Sequence, residues 1–185
     1  MNLTEEKLRQ LLVEPGYISL KDFEKISDKS SKTNKHLTQS IIDAGLITED
    51  QLAQVIAQDI DVPYVSLKTL DINELAFQSI PETMARSKQI IAFEIDQDKI
   101  KVGMVNPRDL ETINVITKHT GKQTIAHLIT ATDLKQVLSR YTNSIKQEFE
   151  NILSQLKAGH IPEKKVDEMT VEIVDLLIKY AYRVE

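Results

Sequence analysis

The chain has 185 residues, 41% of them apolar and 28% charged, with a net charge of −5 and no cysteine. This composition suits a soluble globular protein with an aliphatic core, excludes disulfides and thiolate zinc sites, and argues against nucleic acid, whose binders present a basic surface. The acidic start Met1-Asn2-Leu3-Thr4-Glu5-Glu6 is unlike a secretory signal, and no apolar run reaches the ~20 residues that span a bilayer, so a cytoplasmic protein without direct membrane insertion is expected.

The first predicted elements come as a repeat. Lys7-Leu8-Arg9-Gln10-Leu11-Leu12-Val13-Glu14-Pro15-Gly16-Tyr17-Ile18-Ser19 aligns with His36-Leu37-Thr38-Gln39-Ser40-Ile41-Ile42-Asp43-Ala44-Gly45-Leu46-Ile47-Thr48 at a constant offset of 29. The match continues through Phe23/Leu52 and Ile26/Val55. Leu8, Leu11 and Leu12, like Leu37 and Ile41, are spaced for one helical face. Gly16 and Gly45 fall where a helix end needs a left-handed residue, which glycine adopts without steric cost. Ser19 with Asp22, and Thr48 with Gln51, have the spacing of an N-cap and its reciprocal partner. Residues 4–60 are therefore predicted to be two helical hairpins. Asp28–Lys35, rich in Lys, Ser, Thr and Asn, reads as the loop between them. The lysines at 25, 29, 32 and 35 are read as a solvated run rather than a phosphate or membrane contact.

After Pro63 the period changes. Tyr64–Leu67 has the pattern of a short strand, and two weak helical turns follow around Leu75 and Met84, the second opened by Pro81. Ile90–Ile95 and Lys99–Val105 flank Asp96-Gln97-Asp98 as a hairpin. Asn106 is placed as a cap and Pro107 in the first turn of a helix that Gly121 stops, with Leu110, Ile113 and Ile116 facing inward. Thr124–Ile129 is a further strand, and Thr130 opens a helix carrying Leu134, Val137, Leu138 and Tyr141. Beyond it, Ile145, Phe149, Ile152, Leu153 and Leu156 form a helical stripe closed by Gly159 and Pro162, and a last helix starts near Glu163. The expected fold is α+β in three parts: tandem helical hairpins over 1–60, a small mixed sheet packed with helices over 61–141, and a helical segment over 142–185.

The familiar catalytic motifs are missing. A phosphate-cradling loop needs Gly-x-x-x-x-Gly-Lys-Ser/Thr. Gly121 precedes Lys122, but residue 116 is Ile and residue 123 is Gln, so the chain has no P-loop. The four histidines, His36, His119, His127 and His160, lack zinc-motif spacing. Glu94, Asp96 and Asp98 cluster at the hairpin, where turns favour Asp for its own sake. His127 reads as an ordinary strand histidine. No catalytic residue and no metal site is assigned.

The glycine-punctuated helical repeat, Leu-Ile-Thr-Glu-Asp-Gln-Leu at 46–52, Val-Pro-Tyr-Val at 62–65 and Val-Asn-Pro-Arg-Asp-Leu at 105–110 occur in order. Together they resemble the N-terminal domain of type II secretion and type IV pilus assembly ATPases, including the MshE type. The resemblance covers roughly residues 4–141, and Val171–Tyr182 looks like the helix that leads into the ATPase portion. It implies a non-catalytic docking or regulatory module, peripheral at the inner membrane through a platform protein of the machine. It also implies a downstream ATPase domain through which the parent could oligomerise. The alternative it implies is a cyclic di-GMP sensor. The corresponding motif positions would be Lys7, Leu8, Arg9, Leu12 and Gly16 in the first copy, and His36, Leu37, Thr38, Ile41 and Gly45 in the second. Each MshE-type repeat begins Arg-Leu-Gly, where arginine forks to the nucleotide and glycine lets it approach. Lysine cannot reproduce that fork, and Arg9 and Thr38 add bulk at the glycine position. Weak or absent nucleotide binding, and no cofactor, is therefore expected.

Overall fold

A computed structural model of the protein describes residues 3–33, 36–139 and 174. Tyr141, the stripe from Ile145 to Leu156, the Gly159–Pro162 break and the last helix lie outside these residues, apart from Val174, which is helical and exposed. Residues Met1–Leu134 form one compact unit and Lys135–Glu185 a second.

Four helices open the chain: α1 Glu5–Leu12, α2 Leu20–Thr33, α3 Leu37–Asp43 and α4 Glu49–Asp59. Local chemistry sets their ends. Thr4 caps α1 by accepting the Lys7 N–H at 3.2 Å. Ser19 accepts the Asp22 N–H at 3.1 Å, and its hydroxyl donates to the Asp22 carboxylate at 2.7 Å. Thr48 and Gln51 close the full reciprocal box, with bonds of 3.1 and 3.0 Å. A cap of this kind is worth about 0.5–2 kcal/mol. Gly16 and Gly45 sit at φ +85° and +70° in the left-handed region and donate to the Val13 and Ile42 carbonyls; Gly45 directly follows the Ala44 cap of α3, whereas Gly16 lies in the turn three residues beyond the Val13 cap of α1. The apolar faces of all four helices then meet in one core of Leu8, Leu11, Leu12, Ile18, Phe23, Ile41, Ile47, Leu52 and Val55.

The stretch expected as a loop from Asp28 is helical to Thr33. Ser27 and Ser30 are buried on α2, Ser27 donates to the Glu5 carboxylate, and the Thr33 hydroxyl bonds back to the Lys29 carbonyl at 3.0 Å. Tertiary burial of small polar side chains thus carries the helix through a sequence whose composition favours a loop.

Two short helices, α5 Glu74–Gln78 and α6 Glu82–Lys88, lead to the strands β1 Ile90–Ile95 and β2 Lys99–Met104, then α7 Leu110–Thr120 and β3 Gln123–Leu128. The sheet order is β1-β2-β3, with β1 antiparallel and β3 parallel to β2. The mixed sheet and the α+β class are as expected. Residues 131–139 are helical, opened by Thr130, whose hydroxyl accepts the Asp133 N–H at 3.0 Å. Gly103 packs β2 close to the following layer, because a Cβ there would lie 2.6 Å from Ile129 Cγ2. Among the described residues the far side of β3 pairs once, at Leu128. Leu128 N–H donates to Pro63 O at 2.8 Å and Val65 N–H donates to Leu128 O at 3.0 Å. Strand alternation sends the backbone groups of Thr124 and Ala126 to that same open edge.

Two local expectations change. The strand expected over Tyr64–Leu67 is a single bridge at Tyr64. The Leu67 N–H turns instead to the Asp133 carboxylate at 3.0 Å, which withdraws it from any ladder. The cap of α7 is Asp109 rather than Asn106: Asp109 accepts the Thr112 N–H at 3.0 Å and the Thr112 hydroxyl at 2.7 Å. Residues 106–109 form a turn before it. The inward face carries Ile116, as expected, and Thr112, with Ile113 partly buried and Leu110 69% exposed rather than buried.

Candidate functional site

The ten motif positions divide by chemistry. Leu8, Leu12 and Ile41 are buried, with Leu37 packed against them in the helical core. Gly16 and Gly45 make the two left-handed turns. The polar positions scatter. Lys7 and Arg9 flank an open groove of about 590 Å³ on α1, shared with Glu6, Gln10 and Glu14. Two acids balance two bases there, so the groove carries no strong field for a phosphate. Lys7 is already engaged, with Nζ 2.6 Å from Asp59 Oδ1 and 3.5 Å from Gln10 Oε1. Thr38 lines a different pocket of about 190 Å³ with Ile42, Glu49, Leu52 and Ile129. His36 is exposed at the start of α3, and its side chain makes no capping bond. The structure therefore brings together the apolar positions and separates the polar ones.

The hairpin acids are occupied by structure. Asp96 accepts the Asp98 and Lys99 N–H groups at 2.9 and 2.7 Å, which holds its carboxyl below the usual range. Glu94 pairs with Lys101 at 2.8 Å. Lys122 donates to the Asp96 and Gln97 carbonyls at 2.6 and 2.7 Å, pinning the turn from β3's side. His127 is half-buried on β3, edge-on to Phe93 with ring centroids 5.1 Å apart. Burial pushes its imidazole below the usual value, against a smaller opposing effect of its bond to the Ile125 carbonyl.

Among the described residues a further polar cluster lies elsewhere, on Asp50 and Tyr64 of the quoted motifs together with Ser66, Lys68 and Asp133, which no motif marks. Lys68 Nζ sits 2.8 Å from Asp50 Oδ2 and 3.4 Å from Asp133 Oδ1. The Tyr64 hydroxyl donates to Asp50 Oδ1 at 2.8 Å. The Asp133 side chain is wholly buried; its Oδ2 accepts the Leu67 N–H and, at 3.3 Å, the Ser66 hydroxyl. The Lys68 bond holds the Asp50 carboxyl low, and the bond to Asp50 raises Lys68. Desolvation and then Asp50 push the Tyr64 phenol up. In the sequence these residues stand up to 83 positions from one another, and the quoted motifs at 46–52 and 62–65 mark only Asp50 and Tyr64 without joining them.

This architecture defines the class: a module of tandem helical hairpins set on a three-stranded mixed sheet. Residues 60–148 match the family model of the MshEN domain. The chain is also similar to the type IV pilus assembly ATPase PilB of Thermus thermophilus, 21% identical over 123 residues, which is 65% of this chain and 14% of that protein. Among solved structures, MshE with cdg aligns at TM-score 0.57 with 24% identity, over 72% of this chain and 97% of that one. The N-terminal domain of XpsE aligns at 0.49 with 17% identity, over 76% and 97%. The chain thus holds a region that matches the MshEN family model and spans only 14% of the length of the pilus assembly ATPase it is similar to. All ten motif positions, from Lys7 to Gly45, precede residue 60 and so lie outside the family match.

Proposed function

We propose that this chain is a non-catalytic docking and regulatory module of a type II secretion or type IV pilus assembly ATPase, binding a platform protein of that machine. The observation that carries this reading is the MshEN match over residues 60–148, joined to a similarity that takes in only 14% of PilB. The sequence lacks a P-loop, so ATP chemistry would belong to a separate part of the parent. The tandem hairpins of 1–60 and the sheet domain of 61–141 form the module, held at the cytoplasmic face of the inner membrane by its partner. Among the described residues no helix is long and apolar enough to cross a membrane. The test is binding of the purified chain to the cytoplasmic domain of the cognate platform protein. A complex that competes with the full-length ATPase is expected, and no complex at about 100 μM would overturn the reading.

A second reading, a cyclic di-GMP sensor, is favoured by the fold shared with MshE, which was solved with cdg. The occupied Lys7, the separated His36 and Thr38, and the balanced charge of the α1 groove count against tight binding. Calorimetry should show no binding tighter than about 10 μM. Sub-micromolar binding that is lost in Arg9→Ala would reverse the order of the two readings.

A further inference from the structure

We propose that Lys68 is the pin of an electrostatic latch that couples the tandem-repeat helices to the turn at Thr130–Leu134. This deepens the regulatory reading above, on which its use in signalling rests, while the latch itself is read from geometry. Three elements meet at one ammonium. The first turn of α4 supplies Asp50, whose two oxygens lie 3.1 and 2.8 Å from Lys68 Nζ. The turn after Thr130 supplies Asp133, whose Oδ1 lies 3.4 Å from the same nitrogen and accepts no hydrogen bond. The connector between them, residues 64–68, supplies the pin itself along with Tyr64, Ser66 and Leu67. A parallel strut reinforces the join, since Glu49 Oε1 accepts the Thr132 N–H at 3.5 Å.

The asymmetry of this cluster makes it a latch rather than a staple. The Lys68 and Asp50 side chains are 42% and 36% exposed, so solvent competes for the outer bond at little cost. Asp133 is wholly buried, and Lys68 is the cation that the structure places beside its unbonded oxygen. Withdrawing Lys68 leaves a buried carboxylate without its counter-charge, which is strongly unfavourable. The carboxylate is relieved by taking up a proton or, while it stays charged, by opening the groups around it to water, and those groups are the Leu67 amide and the helix start that Thr130 caps. A cheap event on the surface of α4 is thereby converted into opening of the turn at 130–134.

Hydrogen exchange on the isolated chain tests this without any partner. In Lys68→Met the amides of Leu67, Thr132, Asp133 and Leu134 should exchange about tenfold faster or more, while those of α1 and the β1–β2 ladder keep their protection. Lys68→Arg should retain protection, and Lys68→Met with Asp133→Asn should regain much of it, because the stranded charge is gone. Asp50→Asn, which leaves the Lys68–Asp133 contact intact, should loosen the same four amides to a smaller extent. Unchanged protection in Lys68→Met, an equal rise across the whole ladder, or no response at 130–134 in Asp50→Asn would each overturn the latch. None of these outcomes depends on whether the platform protein binds, so the latch and the docking reading can fail separately.

Discussion

Lys7 on α1 reaches the last residue of α4, its Nζ 2.6 Å from Asp59 Oδ1 across 52 positions of sequence. The pair joins the first helix of the first repeat to the last helix of the second. Both side chains are partly exposed, at 35% and 24%, so its worth lies in the range of a surface ion pair. Lys7→Met and Asp59→Asn should each lower the unfolding free energy by about 0.5 kcal/mol, and the double variant should be no worse than either. Urea denaturation at low and high salt measures this. Additive losses would show that the two charges do not act on one another.

Gly16 and Gly45 both have positive φ, and neither has an atom within 4 Å of an added Cβ. The only cost of alanine at either position is therefore backbone strain. Gly16→Ala and Gly45→Ala should each destabilise by about 1 kcal/mol, and asparagine should recover part of the loss. Alanine tolerated at one site but not the other would break the equivalence of the two repeats.

Burial decides the next comparison. Ile41 is fully buried among the helical core residues, whereas Leu110 is 69% exposed at the start of α7. Ile41→Ala should cost about 2–5 kcal/mol through lost contacts and a cavity. Leu110→Ala should stay within about 0.5 kcal/mol of the parent. A large loss at Leu110 would place the inward face of α7 where the Asn106 cap put it.

His127 gives a pH dependence with a defined sign. Its folded-state pKa is depressed below the ordinary 6.5 by desolvation, with Lys101 lowering it further and the Ile125 carbonyl and Glu94 opposing. The unfolded chain therefore takes up the proton more readily, and stability falls as pH drops below about 6.5 toward the folded-state value. The urea midpoint should be lower at pH 5.5 than at pH 7.5, and His127→Gln should remove that component of the slope. An unchanged slope in the variant would assign it to other groups.

The helical repeat is readable from its residues because its signals are local: a cap three residues from its partner, a glycine at the helix end, apolar positions one turn apart. The same local reading fails where distant contacts decide. Asn106 and Asp109 are equally good caps by type, and it is the second that holds the buried Thr112 through both its N–H and its hydroxyl. The Tyr64–Leu67 strand is cut short by Asp133, 66 residues downstream of the amide it captures. Lys68 carries no pattern, and the motif that contains Asp50 gives no hint of its partner; their meaning comes from an ammonium shared between two carboxylates that the chain brings together only on folding. The ten motif positions show the converse. Their spacing is visible in the sequence, but the side the polar ones face is set by packing.

The half-paired edge of β3 bears on how the protein behaves at high concentration. Among the described residues, beyond the bridge at Tyr64, the outward backbone groups of Thr124 and Ala126 offer a short template on which another polypeptide could add as a strand. Pro63 ends the existing pairing without an N–H to extend it, and Lys122 and Gln123 guard the other end with charge and polarity. Two such positions are too few to seed a stable stack, so this edge by itself offers little to fibril growth. Lengthening that edge, by replacing Pro63 with a residue that can donate, would remove one of its two gatekeepers.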